Sequence, residues 1–197
     1  MSDETTELHP YLDELSGCIR AGWVAWEDLG TREPGLRLPL GPRTRACFVY
    51  EHVVFAIRQR FTNRPGVHIN ERRGFLELLI GSKYLIRFKK LNKNLQSSNI
   101  PTKQQKRWFD LQLELPDMPP QAMRLVAGYR LNLAGTEIEQ LAITQPVGRK
   151  IRWALDISDR GFDESRVTSM PGVEPQPAEI RSTITETKKE EEIDDNK

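Results

Sequence analysis

Positively charged side chains crowd the middle of this sequence, and their type and spacing point most directly to a chemistry. Residues 43–107 hold 15 Lys and Arg against 3 Asp and Glu, although the whole chain of 197 residues carries a net charge of only +1. Lys and Arg neutralise phosphates, and Ser and Asn side chains donate hydrogen bonds to the same oxygens. We therefore predict a basic surface that binds an anion or a nucleic acid. Its candidate residues are Arg58, Arg60, Arg72, Arg73, Arg87, Lys89, Lys90, Lys93, Ser97, Ser98, Asn99, Thr102, Lys103 and Arg107.

The acidic ends of the chain allow a second interpretation of the same charges. Residues 1–42 and residues 157–197 each have a charge balance of −5. If these segments fold over the basic centre, they neutralise it and no ligand is implied. If they do not, the basic centre can attract DNA, RNA or an acidic partner protein. The sequence leaves both interpretations open.

A catalytic alternative depends on two acids and a lysine in the same region. Glu77 lies on a predicted strand, Lys89 lies on the next one, and Glu51 lies on the preceding helix. The order of predicted elements resembles the core of PD-(D/E)XK nucleases, which hold Mg²⁺ through an acid on one strand and an acid-x-Lys on the next. Here Arg87 stands in the place of the second acid, and a cation cannot coordinate Mg²⁺. The alternative is therefore a divergent metal-dependent nuclease acting as a toxin, with Glu51, Glu77 and Lys89 as its site.

Other chemistries lack a motif in this sequence. There is no P-loop, no G-x-G-x-x-G, no G-x-S-x-G and no pair of histidines at metal-ligand spacing. Cys18 and Cys47 are the only cysteines and form no C-x-x-C, so neither a disulfide framework nor a structural zinc site is indicated. Cys47 is expected to pack in a helical core. We expect no metal and no cofactor outside the nuclease alternative.

The apolar residues predict a cytoplasmic protein without a membrane partner. No apolar run reaches the roughly 18 residues of a membrane-spanning helix. The acidic stretch Met1–Glu7 lacks the apolar region of a signal peptide.

Hydrophobic periodicity predicts the elements that position the candidate residues. Helical stripes span residues 8–29 and 44–61, separated by a Pro/Gly connector that ends at Pro42. A short strand at residues 67–69 is followed by a hairpin of residues 74–80 and 83–91. Thr102 fits the N-cap of a further helix to about residue 113, whose first N–H groups would favour an anion.

The hairpin sequence also predicts which residues face one another. A type II′ turn at Gly81-Ser82 places Glu77 opposite Ile86 and leaves Arg87 opposite Leu76. In that register one face carries Glu77 among aromatic and aliphatic side chains. We then expect Lys90 or Arg58 to neutralise the carboxylate.

Three further strands, at residues 124–132, 137–145 and 150–157, complete the predicted domain. The fold class is α+β, in the order α-α-βββ-α-βββ, with one mostly antiparallel sheet and two to three helices. We expect an N-terminal helix and connector at residues 1–42, a core domain at residues 43–157, and a disordered acidic tail at residues 158–197.

Several segments resemble an uncharacterised bacterial family over about residues 43–156. The segments that carry the resemblance are Arg43–Ala46, Tyr84–Leu91, Gln96–Thr102 and Leu125–Leu131. Members of that family are encoded beside a helix-turn-helix regulator fused to an ImmA/IrrE-type peptidase, a pairing similar to toxin–antitoxin or phage-defence modules. The resemblance implies such a regulator or peptidase as a possible partner protein, and it implies no catalytic residues. The leading hypothesis is a non-catalytic binding component of such a module, which contacts a nucleic acid or an acidic protein through the basic surface.

Overall fold

Helices form the first part of the chain. The computed structural model describes residues 3–72, 74–97, 122–148 and 150–160. Its helices are a 3₁₀ helix at Asp3–Leu8 and the α-helices α1 His9–Arg32, α2 Pro34–Arg37 and α3 Pro42–Phe61. A proline stands in the first turn of each α-helix, where its missing N–H is not needed. The two long helices are confirmed, and α2 lies where the sequence predicts only a connector.

Six strands form one sheet, and their order in space follows their order in the chain. The strands are β1 Val67–Arg72, β2 Phe75–Ile80, β3 Tyr84–Lys90, β4 Met123–Leu131, β5 Ile138–Val147 and β6 Lys150–Asp156. Neighbouring strands are antiparallel except β3 and β4, which run parallel. The α+β class and the mostly antiparallel sheet are therefore confirmed. The helix predicted from Thr102 and the tail beyond residue 160 lie outside the described residues.

The main hydrophobic core lies between the helices and one face of the sheet. Its fully buried side chains include Leu12, Leu15, Ile57, Leu78, Ile86, Leu125 and Ile143. Since burying a side chain of this size stabilises the fold by about 1.5–3 kcal/mol, this layer holds α1 and α3 on the sheet. The opposite face has two smaller clusters, one around Leu79 and Leu85 and one around Leu91 and Val126.

The register of the β2–β3 hairpin differs from the predicted one by one residue. Three residues join the strands, so Ile80 pairs with Tyr84 and Glu77 pairs with Arg87. Gly81 and Ser82 both have positive φ, at 58° and 55°, whereas a type II′ turn needs positive φ only at its first central residue. A slip of one residue changes every cross-strand partner. The predicted pairing of Glu77 with Ile86 is therefore wrong.

The contact between α1 and α3 gives the first prediction. A Cβ on Gly22 would lie 2.6 Å from Val53 Cγ2 and 2.7 Å from the Val49 carbonyl oxygen. Because the helix backbone cannot move away without disturbing the core, Gly22→Ala should lower the free energy of unfolding by about 1–3 kcal/mol in urea denaturation. Gly35→Ala is the control, since nothing lies within 4 Å of its added Cβ. If both variants unfold at the same urea concentration, the α1–α3 contact is looser than described.

Candidate anion-binding site

A buried ion pair links β2 to β3 at the last residue pair of their shared register. Glu77 is fully buried and Arg87 is 8% exposed. Arg87 Nε donates to Glu77 Oε1 at 3.0 Å, and Arg87 Nη2 donates to the same oxygen. Burial lowers the pKa of the Arg87 guanidinium, while the Glu77 carboxylate acts in the opposite direction. The sequence predicts Lys90 or Arg58 as the partner of Glu77, and the partner is Arg87 because the register is shifted.

Beyond this pair the two strands are no longer paired with each other. β2 begins at Phe75 and β3 continues to Lys90, yet the observed pairing ends at Glu77 and Arg87. The phenol of Tyr50, from α3, accepts a hydrogen bond from the Leu76 backbone N–H at 2.9 Å. A side chain of the helix thus satisfies a strand donor at this position. We call the place where β2 and β3 separate the fork; its side chains are those of Tyr50, Phe75, Arg87 and Lys89.

Lys89 is the distinctive residue of the fork. Its Nζ lies 4.0 Å from the centre of the Phe75 ring and 5.8 Å from the centre of the Tyr50 ring. No carboxylate among the described residues forms an ion pair with it. Desolvation, followed by the charge of Arg87, lowers the pKa of Lys89 from 10.5 to about 8, against a smaller opposing effect of Cys47. Lys89 is half-buried, and its amine lies near aromatic faces.

Lys90 and Arg45 form a second pair of cations. Burial, followed by the charge of Arg45, lowers the pKa of Lys90. Arg45 Nη1 donates to the Gly135 carbonyl at 2.6 Å, and the guanidinium lies 6.0 Å from the Trp23 ring centre. Neither cation has an ion pair with a described carboxylate. We call Arg45, Lys89 and Lys90 the uncompensated cations.

Four cations of the central segment are neutralised, namely Arg58, Arg64, Lys83 and Arg87. Besides Arg87, three cations of residues 58–83 form ion pairs. These pairs are Arg58 with Glu71 at 2.5 Å, Lys83 with Glu7 at 3.0 Å, and Arg64 with Glu14. Glu7 and Glu14 belong to the acidic N-terminal segment, so the folding of that segment over the basic centre accounts for part of the charge. Arg45, Lys89 and Lys90 receive no such partner among the described residues.

The remaining candidate residues divide into two groups. Arg60 and Lys93 are exposed and Arg72 is half-buried, and the described residues give none of them an ion pair. Ser97 forms an isolated bridge with Leu91, which extends the end of β3. The others lie outside the described residues: Arg73, Ser98, Asn99, Thr102, Lys103 and Arg107.

The proposed metal ligands do not form a cluster of acids. Glu51 is exposed on α3, whereas Glu77 faces a guanidinium on the neighbouring strand. Across the described ranges, no three His, Cys, Asp or Glu residues come together in a way that could hold a metal ion. The carboxylate that would coordinate Mg²⁺ is thus already the acceptor of a charged donor.

The structure also brings in residues that sequence reasoning assigned elsewhere. Tyr50 lies within the helical stripe predicted at residues 44–61 and Phe75 within the strand predicted at residues 74–80, and neither is among the candidate site residues. Cys47, expected in the core, is exposed, whereas burial raises the pKa of the Cys18 thiol to about 12. Cys47 falls outside the buried α3 stripe, which contains Val49. Helical spacing alone could have shown the exposure of Cys47, but the approach of Tyr50 to β2 depends on how the helix lies on the sheet.

The buried ion pair gives the second prediction. Glu77→Gln takes the negative charge from a guanidinium that stays inside the protein, and should lower the free energy of unfolding by about 3–5 kcal/mol. Glu71→Gln is the matched control, because it breaks an exposed ion pair. The side chains of Glu71 and Arg58 are 58% and 52% exposed, so this change should lower the free energy of unfolding by less than about 1 kcal/mol. Equal effects in urea denaturation would show that Glu77 is not buried as a charged group.

Comparisons with known proteins identify no relative of this chain. A scan against models of protein families, a search of curated proteins and a search of solved structures found no match to this chain. The bacterial family that the sequence resembles therefore stays a prediction, as do the genomic setting and the partner that it implies. In the part of the chain that the structure describes, no helix has both the length and the apolar character needed to cross a membrane.

Proposed function

We propose that this protein is a non-catalytic component of a bacterial toxin–antitoxin or phage-defence-like module, and that it binds a nucleic acid strand at the fork and the neighbouring cations. The observation that carries the proposal is that Arg45, Lys89 and Lys90 lack carboxylate partners in the described residues, whereas Arg58, Arg64, Lys83 and Arg87 have them. The bacterial setting comes from the family resemblance alone.

The energetics of these cations support an anionic ligand. Lys89 lies near Arg87 and Lys90 lies near Arg45, and in both cases burial and the like charge disfavour the ammonium. A bound phosphate would supply the opposite charge at both places and would strengthen in a partly desolvated site. Binding would therefore relieve a repulsion that the protein alone leaves in place.

Aromatic side chains favour a nucleic acid over an acidic protein. Tyr50 and Phe75 flank Lys89, and sites for single strands combine cations for the backbone with aromatic side chains for the bases. An acidic protein surface would require only the cations. The rings of the half-buried Phe75 and Tyr50 are the groups that a base could contact.

Neutralising single lysines gives the third prediction. Lys89→Gln and Lys90→Gln should each weaken binding of a fluorescent oligothymidine, measured by anisotropy. Each change should also reduce the slope of log Kd against log salt concentration by about 0.7, which is the value for one phosphate of a single strand. Arg58→Gln and Lys83→Gln are matched controls, because each removes a cation that already has a carboxylate partner.

Each outcome of that titration has a meaning. Equal losses in all four variants would indicate attraction to net charge, without a site. A different ligand would be indicated if neither DNA nor RNA binds detectably at low salt but polyglutamate binds and its binding depends on Lys89 and Lys90. The ligand would then be an acidic protein. Cleavage of the strand in Mg²⁺ that Glu51→Gln abolishes would favour the nuclease alternative, since Glu51 is exposed on α3.

The titration of Lys89 gives the fourth prediction. Since its pKa is about 8, the ammonium is mostly present at pH 7 and mostly lost at pH 9, so the affinity for oligothymidine should fall between these pH values. Lys89→Arg keeps a positive charge throughout, and leaves Arg87, Cys47 and Tyr50 around it in place, so its affinity should fall less. A wild-type affinity that is flat from pH 7 to pH 9 would contradict a role for Lys89 in binding.

A further inference from the structure

The backbone of Lys89 is held in a fixed place, and its amine lies beside two aromatic rings. Its backbone belongs to β3, where Lys89 pairs with Gly128 of β4. A Cβ on Gly128 would lie only 1.9 Å from the Lys89 carbonyl oxygen, so the two strands approach too closely for any larger residue. The side chain then extends between the Phe75 and Tyr50 rings. Groups on rigid strands with packed neighbours are the ones that keep a defined geometry.

The surroundings of this amine are those that activate a lysine as a nucleophile. Lysine amines become reactive when they are desolvated or placed beside another cation. Both conditions hold here, because Lys89 is half-buried and Arg87 lies two residues earlier on the same strand face. The other titratable groups that act on it come from α3: Cys47 favours the ammonium, and the Tyr50 phenol is held by the Leu76 N–H.

We infer that Lys89 is a selectively nucleophilic amine that forms a Schiff base with small aldehydes at the fork. The ammonium first loses a proton to solvent, and the Nζ lone pair then attacks the aldehyde carbon to give a carbinolamine. Loss of one water molecule gives the imine, and no oxidant or reductant is needed. This inference is independent of nucleic acid binding, because it concerns the chemistry of one amine.

The walls of the fork indicate which aldehydes it would take. Two aromatic rings border the amine, so a short apolar chain can replace water around it. Arg87 and Lys89 themselves disfavour a cationic aldehyde. Propanal is therefore a suitable probe.

In the experiment, the full chain reacts with propanal and sodium cyanoborohydride at a series of pH values between 6 and 10. The reductant converts the imine to a stable amine, and peptide mass spectrometry then locates the added propyl groups. Lys83 and Lys93 are internal controls. Hydrogen bonding to Glu7 raises the pKa of Lys83, and Lys93 is an exposed lysine just beyond β3. At pH 7 we expect Lys89 to be modified at least about ten-fold faster than either control, with a half-maximal rate near pH 8.

Two variants separate a built site from chance reactivity. Phe75→Ala removes one aromatic wall and admits water, so the pH of half-maximal modification should rise from about 8 towards 10.5. Phe55→Ala is the matched control, since Phe55 is 41% exposed on α3 and is not part of the fork. Circular dichroism checks that both variants are folded.

The opposite results are equally clear. If Lys89 is modified no faster than Lys93, or if Phe75→Ala leaves its pH dependence unchanged, the inference is wrong. Lys89→Arg has no primary amine at this position and should lose the modification. Modification without strand binding would therefore refute only the proposed function, and strand binding without modification would refute only this inference.

Discussion

The pairing of Glu77 with Arg87 inside the protein is the interaction on which the rest of the site depends. A buried carboxylate without a cation costs several kcal/mol, so β2 and β3 must align in a register that brings the two side chains together. In the register expected from a two-residue turn, Glu77 would face Ile86 and its charge would be buried among apolar groups. The three-residue connection through Lys83 avoids this, and the strands then pair only from Glu77 to Ile80.

The fork follows from where that pairing ends. Since β2 and β3 are not paired beyond the ion pair, the Leu76 N–H needs another acceptor, and the Tyr50 phenol supplies it. The same separation gives Lys89 a position between two aromatic rings, with no carboxylate of the described residues at hand. The need to pair the Glu77 carboxylate thus brings together the Tyr50 hydrogen bond, the two aromatic rings and the lysine of lowered pKa at the fork.

The charge segregation of the sequence has a dual outcome in the fold. The acidic N-terminal segment neutralises Lys83 and Arg64 through Glu7 and Glu14, which matches the interpretation that needs no ligand. Arg45, Lys89 and Lys90 are not compensated in this way within the described residues. For Lys89 the consequence is twofold: its ammonium can attract a phosphate, and its neutral amine can attack a carbonyl group. Which of the two dominates depends on pH, because the amine attracts phosphate only when Nζ is protonated and attacks a carbonyl group only when it is not.

The sequence by itself determined the two long helices, the six strands and the α+β class, because periodicity and turn residues are local signals. The predicted helix at residues 44–61 and the strand at residues 83–91 lie within two residues of the observed elements. It also showed that the central segment is basic. Only the tertiary structure decided which cations are neutralised, that Arg87 is the partner of Glu77, and that Tyr50 and Phe75 enclose Lys89. These contacts join residues that are distant in the chain, and a one-residue change in register or a rotation of α3 would replace them all, so no local pattern could specify them.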